Sequence, residues 1–175
     1  MDRKTIIGID CGVNGGIAFK DNNVYSSGDT APGAIVALSM PRDIKGIERL
    51  LETIVNDIPC LTKIHVYIED VPPFVGANRP AARIFKLAEN FGIIKGMCQM
   101  AGYPYTLVRP AVWMKQLGTK KRKDFPNDNK WKNHLKKQAQ YSFPSVKPTL
   151  KTADALLILE YGLQMEMIKD IKKNE

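Results

Sequence analysis

Apolar residues are grouped along this chain in two ways, as short continuous runs and as longer stretches with helical spacing. Short runs predict buried strands at residues 5–10, 17–20, 63–69 and 105–108, and residues 24–25 are a candidate start for another. Apolar positions three and four apart predict helices at residues 44–58, 81–101, 110–117, 130–141 and 153–167. Residues 28–41 have no clear pattern, and residues 118–129 are predicted to form a polar, basic loop.

The order of these elements predicts the class of fold. A glycine-rich turn at residues 11–16 joins the first two strands into an antiparallel hairpin, whereas the later strands are connected through helices and are expected to be parallel. We therefore predict an α/β fold with a mixed central β-sheet flanked by helices. No internal repeat or low-complexity linker interrupts residues 1–175, which predicts one domain with a charged, fraying tail from residue 169.

The distribution of charged residues along the chain predicts a negatively charged partner. The chain has 175 residues, with 26 Lys and Arg against 18 Asp and Glu, for a net charge of +8. Residues 109–151 hold 12 of the basic residues and only two acids, a net of +10, so the remainder is slightly acidic. Such asymmetry favours a polyanion partner, most simply nucleic acid, although a solvated lysine-rich face is the simpler alternative.

The expected location is a reducing cytoplasm. No apolar run approaches the roughly 20 residues of a membrane-spanning helix, and Asp10 interrupts the first apolar stretch, so we predict neither a signal peptide nor a membrane partner. The three cysteines, Cys11, Cys60 and Cys98, form no CxxC pair, which argues against a disulfide scaffold or a cysteine zinc site.

Three carboxylates lie at the ends of predicted elements. Asp10 ends the first strand, Glu69 ends the third predicted strand, and Asp154 begins the last helix. If those strands are adjacent and parallel, their carboxyl ends meet at one edge of the sheet, where ligand sites gather. Convergent carboxylates favour Mg²⁺ or Mn²⁺, and two such ions about 3.5–4 Å apart can clamp a phosphodiester. Alternatively, each acid is an ordinary strand-end or helix-terminus residue.

Three motifs carry a family resemblance. They are Ile-Ile-Gly-Ile-Asp-Cys-Gly at residues 6–12, Val-Tyr-Ile-Glu-Asp-Val at 66–71 and Ala-Asp-Ala-Leu-Leu-Ile at 153–158. In this order and spacing the chain resembles the RuvC-type Holliday junction resolvases. Lys-Leu-Ala at 86–88 and Val-Arg-Pro at 108–110, followed by Trp-Met-Lys at 113–115, are similar to that family as well.

The resemblance implies a ribonuclease-H-like fold, a homodimer, and a crossover junction endodeoxyribonuclease. Such an enzyme nicks paired strands of a four-way DNA junction with Mg²⁺, which Mn²⁺ can replace, leaving a 5′-phosphate. Asp10, Glu69 and Asp154 match the family's catalytic, metal-binding acids, which would hold two ions.

Two lysines are expected to take part in catalysis. The family usually has a second Asp or a His one turn before the last acid, where this chain has Lys151. An ammonium has no acceptor for a metal, so we expect Lys151 to contact the scissile phosphate; the alternatives are that three acids and water suffice, or that activity is weak. Lys130 matches a catalytic lysine by counting back from Phe143, and its neighbour Lys132 is the alternative.

Further residues are predicted to touch DNA. Phe74 lies in the loop after Glu69, where the family carries an aromatic that wedges against bases, although it could instead fold onto the core. The basic candidates include two arginines near the start of the helix at 81–101 and a loop at 120–123 expected to be mobile. The candidates are Arg79, Arg83, Lys115, Lys120, Lys121, Arg122, Lys123 and Lys132.

Three other functions compete with a junction resolvase. The glycines at residues 8–16 also resemble the first phosphate loop of actin-like ATPases and sugar kinases, but the chain is too short for their two domains and has no second loop, so we expect no nucleotide cofactor. Another ribonuclease-H-like nuclease acting on RNA or flaps stays open, because one fold hosts many substrates. So does a catalytically weak junction-binding protein.

Overall fold

A computed structural model describes residues 4–20, 34–56, 63–71 and 80–173 of the chain, without the side chains of residues 53–56. The strands are β1 (Lys4–Asp10), β2 (Gly16–Lys20), β3 (Ile35–Ser39), β4 (Lys63–Glu69) and β5 (Tyr105–Val108). The helices are α1 (Ile44–Asn56), α2 (Ala81–Met100), α3 (Pro110–Gln116), α4 (Asp128–Ser142) and α5 (Ala153–Lys173), and a short 3-10 helix covers Arg122–Asp124.

The strands form one mixed sheet in the order β3-β2-β1-β4-β5. β1 pairs antiparallel with β2, and β2 with β3, whereas β1–β4 and β4–β5 are parallel. The α/β prediction is therefore confirmed, as is the adjacency of the two strands that end in Asp10 and Glu69.

Several element boundaries differ from the sequence-based predictions. β3 lies in the segment without a pattern, because this strand at the edge of the sheet is only partly buried and its apolar period is weak. α4 begins two residues earlier than predicted, where the Asn127 side chain accepts a hydrogen bond from the Lys130 backbone N–H (2.9 Å). α5 continues to Lys173 through the tail that was expected to fray. Residues 24–25 lie outside the described part of the chain.

The central strand β1 is buried on both faces, which explains its continuous apolar run. Ile6 packs in the layer beneath α5, whereas Ile7 and Ile9 pack in the opposite layer with residues of α1 and α2. β4 alternates in the same way, with Tyr67 beneath α5 and Val66 on the other face. Since alternate residues of a strand share a face, the even-numbered positions of β1 and the odd-numbered positions of β4 point towards α5.

Gly8 lies where the backbone of α5 packs directly against β1. A Cβ atom on Gly8 would lie 2.4 Å from the Leu159 backbone nitrogen and 2.6 Å from the Ala155 carbonyl oxygen. These are helix backbone atoms that no rotamer change can move. Gly8 therefore sets the height of α5 above β1, and with it the position of Asp154.

A buried carboxylate fixes the other half of α5. The Glu166 side chain is 7% exposed and accepts hydrogen bonds from the Tyr67 hydroxyl (2.7 Å) and the Lys169 ammonium (2.8 Å), and it forms an ion pair with Lys4. Burial alone would raise the pKa of Glu166, but these three donors outweigh it and lower the pKa to about 2. No local sequence pattern marks this cluster, because its members are far apart in the chain.

Glu166→Gln is expected to lower the free energy of unfolding at pH 7 by about 2 kcal/mol. The pKa of Glu166 is lower in the folded protein than in the unfolded chain. Ionised Glu166 therefore makes its full contribution to the free energy of unfolding above pH 4.5, the usual pKa of a glutamate, and this contribution is lost as the pH falls towards 2. Urea denaturation at pH 7, 4.5 and 3 should show the gap between wild type and variant shrinking. The exposed Asp170→Asn is the control, and a gap that stays constant with pH would contradict the assignment.

Within the described ranges, the structure contains no helix whose length and hydropathy match those of a membrane span. Cys11 and Cys98 are buried, unpaired thiols, and Cys60 is outside the described residues.

Candidate functional site

The sheet and α5 bring the three predicted carboxylates to one place. Asp10 and Glu69 are the last residues of the parallel neighbours β1 and β4, directly after the paired Ile9 and Ile68. Strand alternation turns both side chains towards α5, and Asp154 is the second residue of that helix. The three carboxyl groups are close enough to act on each other electrostatically.

The glycine-rich turn is shaped around Asp10. The Gly12 backbone N–H donates to Asp10 Oδ1 (2.9 Å), and a Cβ atom on Gly15 would lie 2.2 Å from the Asp10 carbonyl oxygen. The buried Asn90 side chain donates to the Cys11 carbonyl (3.3 Å) and ties the turn to α2. The small residues of this turn therefore accommodate and orient the carboxylate of their own segment, which accounts for the glycines without a nucleotide phosphate.

Trp113 orients the second carboxylate. Its ring is fully buried at the start of α3, and its indole Nε1–H donates to Glu69 Oε2 (3.3 Å). The Pro110 ring at the first position of α3 suits a helix start, which places Trp113 one turn into the helix. Nothing local in the sequence indicates this contact, and the only signal for Trp113 is its place in the Trp-Met-Lys motif of the family resemblance.

Burial and mutual repulsion disfavour the ionised forms of Asp10 and Glu69 and so raise their pKa values. Burial, then the charge of Asp154, raises the pKa of Asp10 to about 6 against the lowering effect of the Gly12 hydrogen bond. Burial, then the charges of Asp10 and Asp154, raises the pKa of Glu69 to about 8, against the lowering effect of the Trp113 hydrogen bond. A cation among these groups would relieve both effects.

Lys132 brings such a positive charge from α4. Its ammonium forms a hydrogen-bonded ion pair with Asp154 Oδ2, and the Asp154 side chain is only 9% exposed. Burial alone would lower the pKa of Lys132, but the charge and hydrogen bond of Asp154, with the charges of Asp10 and Glu69, raise it. One ammonium therefore interacts with all three carboxylates.

The two lysines predicted to be catalytic are not in this cluster. Lys130 is exposed in the first turn of α4, and because residues two apart on a helix are about 200° apart, it cannot share the direction of Lys132. The alternative assignment to Lys132 is the one that the geometry supports. Lys151 is exposed in the turn before α5, and its side chain has no hydrogen bond or ion pair with any residue that the structure describes.

Most of the predicted DNA contacts are surface residues outside the acidic cluster. Arg122 pairs with Asp128 and donates to the Phe125 carbonyl (3.0 Å), and it begins a 3-10 helix within the segment expected to be a mobile loop. Its contact with DNA stays a prediction. Phe74 and Arg79 lie outside the described residues. The exposed candidates are Arg83, Lys115, Lys120, Lys121 and Lys123.

The oxygen atoms of the three carboxylates are suitable ligands for a hard divalent cation, but the described residues do not surround a single position for such an ion. Three carboxylates converge, and Asp154 Oδ1 is buried without a hydrogen-bond partner. Across the described ranges, however, no group of three or more His, Cys, Asp or Glu side chains is placed to hold a metal ion. One oxygen of the cluster, Asp154 Oδ2, accepts a hydrogen bond from the Lys132 ammonium.

Comparison with solved structures supports the predicted fold. The chain is similar to Thermus thermophilus RuvC in complex with a Holliday junction substrate, with a TM-score of 0.54 and 15% identity over 92% of this chain and 96% of that one. A second Thermus thermophilus RuvC structure gives a TM-score of 0.52 and 19% identity over 93% and 96%. No family model and no curated protein matches the sequence. At these identities the likeness establishes the RuvC-like, ribonuclease-H-type fold, as predicted.

Proposed function

We propose that this protein is a Mg²⁺-dependent endonuclease that nicks paired strands of four-way DNA junctions. The observation that carries the proposal is the convergence of Asp10, Glu69 and Asp154 at the carboxyl edge of the sheet, each delivered by a different element. The RuvC-like fold supports the choice of a junction as substrate, and the basic segment supports DNA as partner. A cytoplasmic, reducing location belongs to the same proposal.

The carboxylates would hold the cation and the surrounding residues would keep them in place. Asp10, Glu69 and Asp154 would bind Mg²⁺ or Mn²⁺, which when bound supplies positive charge for the scissile phosphate and acidifies water. Gly12 fixes the Asp10 carboxylate through its N–H, and Trp113 fixes Glu69. The buried setting strengthens each of these interactions, because the local dielectric is low.

The basic surface would hold the arms of the junction against this acidic site. Lys115 on α3 and Lys120, Lys121 and Lys123 before α4 are exposed. Solvent can reach these side chains, so phosphates can contact them and binding should weaken steeply as salt increases.

The test compares a synthetic four-way junction, a duplex of the same sequence and an RNA–DNA hybrid, each with Mg²⁺ and with EDTA. The proposal expects cleavage of the junction alone, only with Mg²⁺, and products that carry a 5′-phosphate. Preference for the duplex would contradict it, and preference for the hybrid would favour an RNA-directed nuclease of the same fold.

A junction-binding protein with weak catalysis is the second candidate. It is favoured by the ion pair between Lys132 and Asp154 and by the absence of a closed metal site within the described residues. Tight junction binding without metal-dependent cleavage would support it.

We also propose a homodimer joined through α2. One face of this helix is exposed and carries small residues, including Ala88, Gly92 and Gly96, and a Cβ on either glycine would meet no atom within 4 Å. Phe85 on the same face is 71% exposed, and Met100 at its end is 92% exposed. Two copies related by a two-fold axis would present two acidic sites to opposed strands.

Gly96→Arg is expected to shift the protein from dimer to monomer, because a long charged side chain would prevent close approach of two α2 helices. Sedimentation at several protein concentrations measures the shift. Glu52→Arg, exposed on α1, is the control and should leave the mass unchanged. A wild type that stays monomeric at all concentrations would refute the proposal.

Trp113→Phe is expected to lower the rate of junction cleavage about 10- to 100-fold, because groups that orient a ligand of a metal site typically contribute this much. Phenylalanine fills most of the buried space but cannot donate to Glu69. Single-turnover cleavage measures the effect, and circular dichroism checks the fold. Tyr103→Phe, which removes a hydroxyl from a partly buried ring in the layer opposite α5, is the control; an equal loss in both variants would contradict a specific role for Trp113.

A further inference from the structure

The Lys132 ammonium supplies positive charge to all three carboxylates of the cluster. It pairs with Asp154 Oδ2, and its charge acts on both Asp10 and Glu69. Yet Lys132 belongs to α4, 22 residues from Asp154 in the chain, and its own side chain is 35% exposed. The Lys132 side chain is therefore partly solvated, and its ammonium also lies 5.3 Å from the centre of the Trp131 ring.

The same contact leaves the carboxylate cluster incompletely satisfied. Asp154 has one oxygen on the ammonium and its other oxygen, Oδ1, buried without a hydrogen-bond partner. A buried, unpaired carboxylate oxygen is costly, so a further cationic or donor group is favoured there. A divalent cation bound among the three acids would be repelled by the like charge of Lys132 while the ion pair persists.

We propose that Lys132 is a resident counter-ion of the acidic cluster, which a divalent cation must displace from Asp154 in order to bind. The inference rests on the proposed metal dependence and adds to it a positioning residue that sets the affinity for metal. Without metal, Lys132 stabilises the folded protein by neutralising Asp154. A cation held by the three acids would release the Lys132 ammonium from Asp154.

The test measures binding of Mn²⁺ to DNA-free protein by the electron paramagnetic resonance signal of free Mn²⁺. Lys132→Met is expected to bind Mn²⁺ about tenfold more tightly, since the competing charge is gone. Lys132→Gln removes the charge but keeps a hydrogen-bond donor, and it is also expected to bind Mn²⁺ more tightly than wild type. It replaces Lys132→Met in the test if the methionine variant folds poorly. Lys132→Arg keeps the charge and should stay within about threefold of wild type.

Thermal unfolding supplies a second readout that does not depend on cleavage. In EDTA, the melting temperature of Lys132→Met should be lower than that of wild type, because Asp154 loses its partner. Saturating Mn²⁺ should remove this difference in melting temperature. Lys137→Met, which removes an exposed charge from the same helix, should change neither the Mn²⁺ affinity nor this difference.

The outcomes separate this inference from the proposed function. Equal or weaker Mn²⁺ binding by Lys132→Met and Lys132→Gln would overturn the counter-ion role and leave the metal-dependent nuclease standing. No Mn²⁺ binding by wild type or any variant would overturn both.

Discussion

Asp10→Asn is expected to lose cleavage of the four-way junction by about 10³-fold while keeping its affinity for that junction. The charge stabilisation that a bound cation supplies is worth several kcal/mol, and an amide in place of Asp10 removes a charged ligand from the cluster. The fold should persist, because the amide oxygen of asparagine can still accept the Gly12 N–H that now reaches Asp10 Oδ1. Cleavage is measured with Mg²⁺ under single-turnover conditions, and binding by gel shift in EDTA.

Asp170→Asn is the matched control for Asp10→Asn, since it removes the same charge from an exposed position. It lies 16 residues beyond Asp154 on α5, about 24 Å along the helix, and should cleave like wild type. Retained cleavage in Asp10→Asn would contradict the proposed site. Loss of binding as well as cleavage would show that the carboxylate is needed for the structure.

Gly8→Ala is expected to lower the free energy of unfolding by about 3 kcal/mol, the upper range for overpacking a core. The added methyl would lie within 2.8 Å of three backbone atoms of α5, so the helix must move away from β1. Because Asp154 lies in the first turn of the same helix, cleavage should fall even at temperatures where the variant stays folded. Urea denaturation and single-turnover cleavage measure the two effects.

Gly92→Ala is the control for Gly8→Ala. It adds the same methyl to an exposed helix position where no atom lies within 4 Å, and in dilute protein it should stabilise α2 by about 1 kcal/mol. A Gly8→Ala variant as stable as wild type would show that α5 is not held at this distance.

The sequence alone determined the central strands and the carboxylates that end two of them. β1 and β4 are buried on both faces, so their apolar runs are continuous and their ends are marked by Asp10 and Glu69. The same local signals failed for β3, whose partial burial at the sheet edge leaves little pattern. The sequence predicts the ends of helices less accurately than the strands. The end of a helix depends on a single capping side chain such as Asn127, whereas a strand is marked by a run of several apolar residues.

The tertiary structure decided which side chains complete the site. Lys130 and Lys132 are equivalent as sequence neighbours, but they point about 200° apart on α4, and only the packing of α4 against α5 selects Lys132 for Asp154. Trp113 reaches Glu69 only because β5 places α3 beside the end of β4. Contacts of this kind join residues that are far apart in the chain, and their geometry depends on angles between packed elements that no local period encodes.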